Sequence, residues 1–253
     1  MKILKEIHLK TKDGNRIVYF GTADNNQELQ EIFRQRYEVY SELNYISKNF
    51  FPSKIEKDEY DNAKKCDYFI AKFDNQLIGS ARVIYDYYLP TEKDCFEFKE
   101  PTEMKKIPKD QRGEISRLIV IRLHNGFLPP HLLILGIFYS IVKIASKRNK
   151  MGGYSFIKES LRNKLKKIGI PFHIIKPYKQ IYSKKYLWGY FHNSTDPAVP
   201  IYYLKDEAKE YLNKIFNNKK IFKKLDDIKF LYLLDKHWKF LFYIKLSRLI
   251  NFQ

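Results

Sequence analysis

The sequence has few cysteines, no long hydrophobic run and a shortage of acidic side chains. The two cysteines, Cys66 and Cys95, are too few for a disulfide framework and lie in no zinc-like spacing. The longest apolar run, Leu132 to Val142, is well short of the roughly 18 residues that indicate a membrane-spanning helix. The segment from Met1 to Lys10 lacks the apolar core of a secretory signal. We therefore expect a cytoplasmic protein that does not span a membrane.

The shortage of acidic groups is concentrated in the second half of the chain. The 253 residues include 47 Lys and Arg against 29 Asp and Glu, a formal charge of +18. Residues 1–142 are almost neutral, whereas Lys143 to Lys185 contains thirteen basic residues and one acidic residue, a charge of +12. Such a field attracts an acidic partner, and nucleic acid, anionic lipid and an acidic carrier protein all qualify.

The hydrophobic pattern predicts an α/β protein with helices covering a mixed, mostly antiparallel sheet. Residues 1–204 are predicted to form the main domain, and residues 205–253 a basic, aromatic-rich helical extension. The predicted elements are a hairpin of Ile3 to Lys10 and Arg16 to Phe20, a helix from Asn26 to about Leu43, a hairpin of Asp67 to Phe73 and Gln76 to Tyr85, a central strand from Glu114 to Leu123, a helix from Leu132 to Lys147, a strand from Tyr154 to Lys158, a basic helix from Ser160 to Ile168, strands from Phe172 to Ile175 and Ile201 to Leu204, and helices from Asp206 to Ile215 and Lys219 to Leu249.

One charged residue lies on the apolar stripe of the first predicted helix. Arg36 falls in register with Ile32, Phe33 and Tyr40, so its guanidinium group points toward the core. A buried guanidinium group must find a carboxylate or line a pocket. We expect Arg36 to pair with an acid of the loop from Ser47 to Asn62, either Asp58 or Asp61.

Four short clusters resemble a known superfamily in their order and spacing. They are Arg36-Tyr37-Glu38-Val39-Tyr40, Asp58-Glu59-Tyr60-Asp61, Gly79-Ser80-Ala81-Arg82 and Glu114-Ile115-Ser116-Arg117-Leu118. Together they resemble the acyl-homoserine-lactone autoinducer synthases and the related long-chain N-acyl amino acid synthases. Both groups are carrier-dependent acyltransferases with a GNAT-type fold, and the likeness runs from about Leu29 to Tyr203. The resemblance implies a GNAT-like acyltransferase.

The resemblance also implies an active site. The polar positions that it assigns are Arg36, Asp58, Asp61, Arg82, Glu114 and Arg117. Three arginines and three acids on otherwise apolar elements need mutual pairing if they are buried. Glu114 is the expected base for the attacking amine, with Ser116 and Arg117 beside it, and a backbone N–H between Ser116 and Leu118 is expected to stabilise the oxyanion. In a regular strand Glu114 and Arg117 point to opposite faces, so we expect the β-bulge of this fold between them.

The expected acyl donor is acyl carrier protein. The segment from Arg122 to Phe127 does not match the glycine-rich pyrophosphate loop of acetyl-coenzyme A users of this fold. A single phosphate of the pantetheine arm can still bind there, and the basic block suits an acidic carrier. The expected contacts are Arg122, Asn125 and Gly126 in that segment, together with Lys164, Lys166 and Lys167.

The acceptor is expected to be the α-amine of an amino acid, because Tyr45 stands where the lactone synthases usually carry Trp. The alternative is a lactone synthase that uses S-adenosylmethionine. From another class, a basic nucleic-acid or membrane-binding module stays open, although such a module has no need for Glu114 and Arg117 on a core strand. The extension could line an acyl tunnel, contact a membrane peripherally or pack on the sheet. Neither a metal nor a permanently bound cofactor is expected.

Overall fold

The computed structural model describes residues 1–11, 14–61, 65–121 and 130–217. Eight of the described strands form one sheet in the order β1-β2-β3-β4-β6-β7-β10-β8, and β5 pairs with β9 in a small second sheet. The strands are β1 (Lys2–Thr11), β2 (Gly14–Thr22), β3 (Cys66–Phe73), β4 (Gln76–Ile84), β5 (Phe96–Phe98), β6 (Arg112–Val120), β7 (Gly152–Lys158), β8 (His173–Ile174), β9 (Tyr178–Gln180) and β10 (Ala198–Leu204). All recorded pairs are antiparallel except the parallel pair of β6 and β7. The predicted mixed, mostly antiparallel sheet is confirmed.

Helices cover both faces of the main sheet. The described α-helices are α1 (Asn26–Glu42), α2 (Thr102–Lys105), α3 (Pro130–Lys147), α4 (Glu159–Ile168), α5 (Trp188–Phe191) and α6 (Lys205–Phe216), with 3₁₀ turns at Lys48–Phe50, Lys109–Gln111 and Lys185–Leu187 and a π-helical turn at Thr91–Cys95. Apolar residues of α1, such as Ile32 and Phe33, pack on one face of the sheet. Leu133 and Ile137 of α3 pack on the other, in the largest core cluster.

The start of helix α1 and its buried face are those that the sequence predicts. The side chain of Asn25 accepts a hydrogen bond from the backbone N–H of Glu28 at 2.9 Å, which caps the helix. Ile32, Phe33, Arg36 and Tyr40 are all buried. The apolar stripe therefore brings the Arg36 guanidinium group into the interior.

Strand β6 contains the bulge on which the site depends. Ser80 pairs with Ile119 and Arg82 pairs with Ser116, so Arg117 and Leu118 together face the one residue between them on β4. Arg117 has a φ of 57°, in the left-handed region. The predicted bulge is thus present, but it lies at Arg117 itself rather than before it. It places the side chains of Glu114, Ser116 and Arg117 around one pocket.

Strands β6 and β7 pair over only three residues and then separate. The last pair is Glu114 with Tyr154. At the paired end, a Cβ atom on Gly153 would lie 1.6 Å from the carbonyl oxygen of Gly113, so this close approach requires glycine. Beyond Glu114 the two strands line a cavity instead of a ladder.

Helix α6 packs on α3 rather than apart from the main domain. Leu212, Ile215 and Phe216 lie in the largest core cluster. The described core therefore continues to Phe216, and the division after residue 204 stays a prediction. Residues 218–253, including the helix predicted from Lys219 to Leu249, lie outside the described residues, and their tunnel and membrane roles stay predictions. No helix in the described ranges is long and apolar enough to cross a membrane.

Candidate active site

Three arginines and three acids form a buried ion-pair network on one face of the sheet. Arg36 comes from α1, Arg82 from β4 and Arg117 from the bulge in β6. The acids are Glu56, Asp58 and Asp61, all on the loop that precedes β3. The six formal charges balance, and every member is at most about a tenth exposed. The network ties this loop to the helix and to the two strands.

The ion pairs of the network have short N···O distances. Arg36 Nη1 lies 2.9 Å from Asp61 Oδ1, which confirms the predicted pairing. Arg82 binds both carboxylate oxygens of Asp58, at 2.5 and 3.0 Å. Arg117 Nη2 lies 2.7 Å from Glu56 Oε1 and 2.8 Å from Asp58 Oδ2. The bidentate, charge-assisted contact with Asp58 holds the Arg82 guanidinium group in one orientation, whereas Arg36 contacts Asp61 through Nη1 alone.

The network favours the ionised forms of Asp58 and Asp61 despite their burial. Burial opposes ionisation of Asp61, but the charges of Arg36 and Arg82 outweigh it and hold the pKa well below its usual value. Asp58 has a lowered pKa, because Arg82 and Arg117 overcome the same effect of burial. The three guanidinium groups are thus occupied by carboxylates of the protein itself.

Glu114 does not join this network, contrary to the expectation that the three arginines pair with Asp58, Asp61 and Glu114. Its Oε2 accepts a hydrogen bond from the backbone N–H of Thr91 at 2.8 Å, and its Oε1 has no hydrogen-bond partner among the described residues. The carboxyl group is fully buried, and this burial raises its pKa to about 8, although the Thr91 amide favours the ionised form. Glu56, and not Glu114, is the third acid of the network.

Glu56 is the site residue that the sequence analysis missed. It is fully buried and reaches both Arg36, at 3.7 Å, and Arg117. The available signal was its spacing from Asp58, because alternate residues of an extended segment share one side. Two neighbouring tyrosines were also missed: the hydroxyl of Tyr68 donates to Asp61, and the hydroxyl of Tyr60 donates to Asp94.

Two cavities meet at the bulge. A polar pocket of about 20 Å³ is lined by Glu114, Asp58, Tyr60, Asp94 and Lys184, among others. An apolar cavity of about 530 Å³ lies between the separated parts of β6 and β7 and continues under α3 and α4. The residues that line both are Ser116, Arg117 and Phe156.

Ser116 and Tyr45 occupy different parts of this arrangement. The hydroxyl of Ser116 accepts a hydrogen bond from Arg82 Nε at 3.1 Å and lies where the two cavities meet. Tyr45 lines the apolar cavity, with its ring 4.9 Å from that of Tyr190 in an edge-to-face contact. Tyr45 therefore lies beside the apolar cavity and outside the ion-pair network.

The structure describes three of the six residues that are predicted to contact the carrier. Lys164, Lys166 and Lys167 are all exposed on α4, and Lys164 also lines the apolar cavity. The cavity thus reaches the surface beside the basic helix. The other predicted contacts, Arg122, Asn125 and Gly126, lie outside the described residues.

Two further groups bear on the chemistry. Cys95, which belongs to none of the four sequence clusters, lines the polar pocket. Its burial raises the thiol pKa far above the usual value, so the thiol is neutral and a poor nucleophile. Within the described residues, no group of three His, Cys, Asp or Glu side chains could hold a metal ion.

Comparison with known proteins agrees with this architecture. The profile of the N-acyl amino acid synthase FeeM family matches residues 31–149. The autoinducer synthase LasI is 15% identical, with a TM-score of 0.54 over 75% of this chain and 90% of LasI. FeeM itself, from uncultured soil microbes, is 11% identical, with a TM-score of 0.53 over 76% of this chain and 94% of FeeM. The coenzyme A-dependent acyl-homoserine lactone synthase MesI is 15% identical, with a TM-score of 0.52 over 78% of this chain and 95% of MesI.

No curated protein sequence matches the chain significantly. The structural likenesses establish the fold, and the profile match covers most of α1, the acidic loop that carries Glu56, Asp58 and Asp61, and strands β4 and β6. Fold and profile agree with the resemblance drawn from the four sequence clusters. The chain therefore has the GNAT-like fold of the autoinducer and N-acyl amino acid synthases, and its residues 31–149 match the N-acyl amino acid synthase FeeM family.

Proposed function

We propose that the protein transfers a medium or long acyl chain from the thioester of acyl carrier protein to the α-amine of an amino acid. The observation that carries this proposal is the meeting of the polar pocket and the apolar cavity at the bulge in β6. A thioester carbonyl at that junction would have its acyl chain in apolar surroundings and an amine on its polar side.

The apolar cavity suits an acyl chain. Its volume of about 530 Å³ lies within the range of small-molecule sites, roughly 300–1,000 Å³. Val39, Leu43, Ile134, Phe138 and Phe172 contribute to its lining. Burying a chain there gains about 0.8 kcal/mol for each methylene group removed from water. Binding of a long acyl chain in the cavity is therefore more favourable than binding of a short one.

The polar pocket suits removal of a proton from the amine. The amine attacks the thioester carbonyl carbon, the new C–N bond forms, and the C–S bond then breaks; the carrier sulfur leaves as a thiolate, which becomes the thiol by taking up one of the protons that the amine loses. The amino acid arrives as an ammonium ion, so a proton must leave before or during the attack. Glu114, with a pKa of about 8, is a base of suitable strength near neutral pH. A backbone N–H of the bulge would stabilise the oxyanion.

The donor is proposed from the charge around the cavity opening. Lys164 lines the cavity, while Lys166 and Lys167 extend the positive surface along the exposed face of α4. The block from Lys143 to Lys185 carries a charge of +12. An acidic carrier protein docked there would have its pantetheine arm beside the opening.

Product analysis tests this function. The purified protein is incubated with acyl carrier protein loaded with chains of several lengths, a mixture of amino acids and S-adenosylmethionine, and the products are identified by mass spectrometry. Acyl-coenzyme A replaces the carrier in a parallel reaction. We expect an N-acyl amino acid that forms faster from the carrier. A homoserine lactone would support the alternative acceptor instead, and no acylated product from either donor would overturn the proposal.

A further inference from the structure

The polar pocket is too small for the acceptor that its chemistry suits. Its volume of about 20 Å³ accommodates about one water molecule. Nevertheless the fully buried Glu114 lines it, with one carboxylate oxygen unpartnered among the described residues. Binding of an amino acid therefore requires part of the wall to move.

The outer wall of the pocket is closed by side chains from three segments. Lys184, which follows β9, contacts Glu59 of the acidic loop, and its Nζ lies 3.5 Å from Asp94 in the π-helical turn. The hydroxyl of Tyr60 also binds Asp94. Glu59 and Lys184 are 48% and 39% exposed, so these contacts lie at the surface end of the pocket and are the easiest to separate.

Among the basic side chains that line the polar pocket, Lys184 is the one best able to bind the carboxylate of an acceptor. Arg82 and Arg117 also line it, but the acids of the ion-pair network already occupy them. Lys184 is held only by side chains that water can reach. An incoming carboxylate could replace that of Glu59 on Nζ without changing the local charge, while Glu59 turns toward solvent.

We propose that Lys184 is the carboxylate-binding residue of the acceptor site, and that an amino acid enters by displacing Glu59 from it. The inference rests on the proposed function and names its acceptor subsite. With the carboxylate on Lys184, the α-amine of the acceptor extends inward toward Glu114. Lys184 is then the residue that selects amino acids over amines without a carboxylate.

The test compares acceptors with and without the carboxylate. Initial rates are measured with a mixture of the twenty amino acids and, separately, with the mixture of their α-carboxamides, which keep the amine. The wild-type protein should prefer the amino acids. In K184M, kcat/KM for the amino acids should fall about 10- to 100-fold, mainly through KM, while the rate with carboxamides changes little. K179M, at an exposed lysine of β9, is the matched control.

A second variant distinguishes carboxylate binding by Lys184 from a purely structural role of the Lys184–Glu59 pair in the pocket wall. E59Q removes the competing carboxylate and should lower KM for the amino acids, the opposite of K184M. If the pair only held the pocket together, both variants would impair the enzyme in the same direction, and that result would overturn the proposal. An unchanged carboxylate preference in K184M would overturn it as well, while N-acyl products from the wild-type protein would leave the proposed function standing.

Discussion

Glu114→Gln tests whether the buried carboxyl group is the base. The substitution preserves the shape of the side chain and its bond to the Thr91 amide, but it removes the group that accepts a proton. General-base catalysis is worth roughly 10²- to 10⁴-fold, so kcat should fall by that amount. The assay is carrier thiol release, with N-acyl product measured by mass spectrometry.

The pH profile is the sharper measurement. With a pKa of about 8, Glu114 is only about one-tenth ionised at pH 7 in the free enzyme, so wild-type kcat/KM should rise about tenfold between pH 7 and 9 and then level off. E114Q depends on free amine, which titrates at higher pH than Glu114. Its rate should therefore continue to rise after the wild-type rate is constant, and the gap between the two should narrow.

Thermal stability provides the control. Between pH 4.5 and about 8 the folded state holds a proton on Glu114 that the unfolded state has lost, so the free energy of unfolding falls as pH rises. The full loss is up to about 5 kcal/mol above pH 8, and E114Q should lack this contribution. E114Q should thus melt no lower than wild type at pH 9. A variant that melts normally and turns over at the native rate would remove Glu114 from the mechanism.

Three further predictions follow from the same geometry. Substituting Lys164, Lys166 and Lys167 by Glu should raise KM for acyl carrier protein and weaken the salt dependence of that KM, with less effect on kcat. Unchanged kinetics would indicate that the basic surface binds lipid or nucleic acid instead. Phe138→Trp should fill part of the apolar cavity and shift the products to shorter chains by mass spectrometry, and an unchanged chain profile would count against the cavity as the acyl site. Glu56→Gln should give the ion-pair network a net positive charge, lower the pKa of the base and move the rise of kcat/KM to lower pH; a profile that stays at pH 8 would contradict this coupling.

Local patterns predicted the parts of the fold that are determined by neighbouring residues. The stripe on α1 predicted the inward orientation of Arg36, and Gly169, with a φ of 85°, ends α4 where the sequence places it. The small sheet of β5 and β9 was not predicted. Its strands have three residues each and lie about 80 positions apart, so neither periodicity nor a turn signal reveals them.

The candidate site was predicted in its members but not in its pairing. Arg36 was matched to either Asp58 or Asp61, because an inward arginine near an acidic loop has few other partners, and the structure pairs it with Asp61. Arg117 could have taken either Glu114, three positions away, or Glu56, which is 61 positions away. The sequence favours the near residue, but the left-handed backbone at Arg117 directs its side chain to the acidic loop. The partner of Arg117 is therefore determined by the tertiary structure and not by local sequence.

This choice of partner decides whether Glu114 can act as a base. A carboxylate paired with a buried guanidinium group has a lowered pKa, as Asp58 and Asp61 have, and is too weak a base to take a proton from an amine. Because Glu56 and Asp58 occupy Arg117, Glu114 is left with burial as the main influence on its pKa, which rises to about 8. The ion-pair network therefore contributes to the proposed chemistry without touching the substrate: it holds the acidic loop in place, and its carboxylates offset the positive charge of Arg82 and Arg117 beside the base.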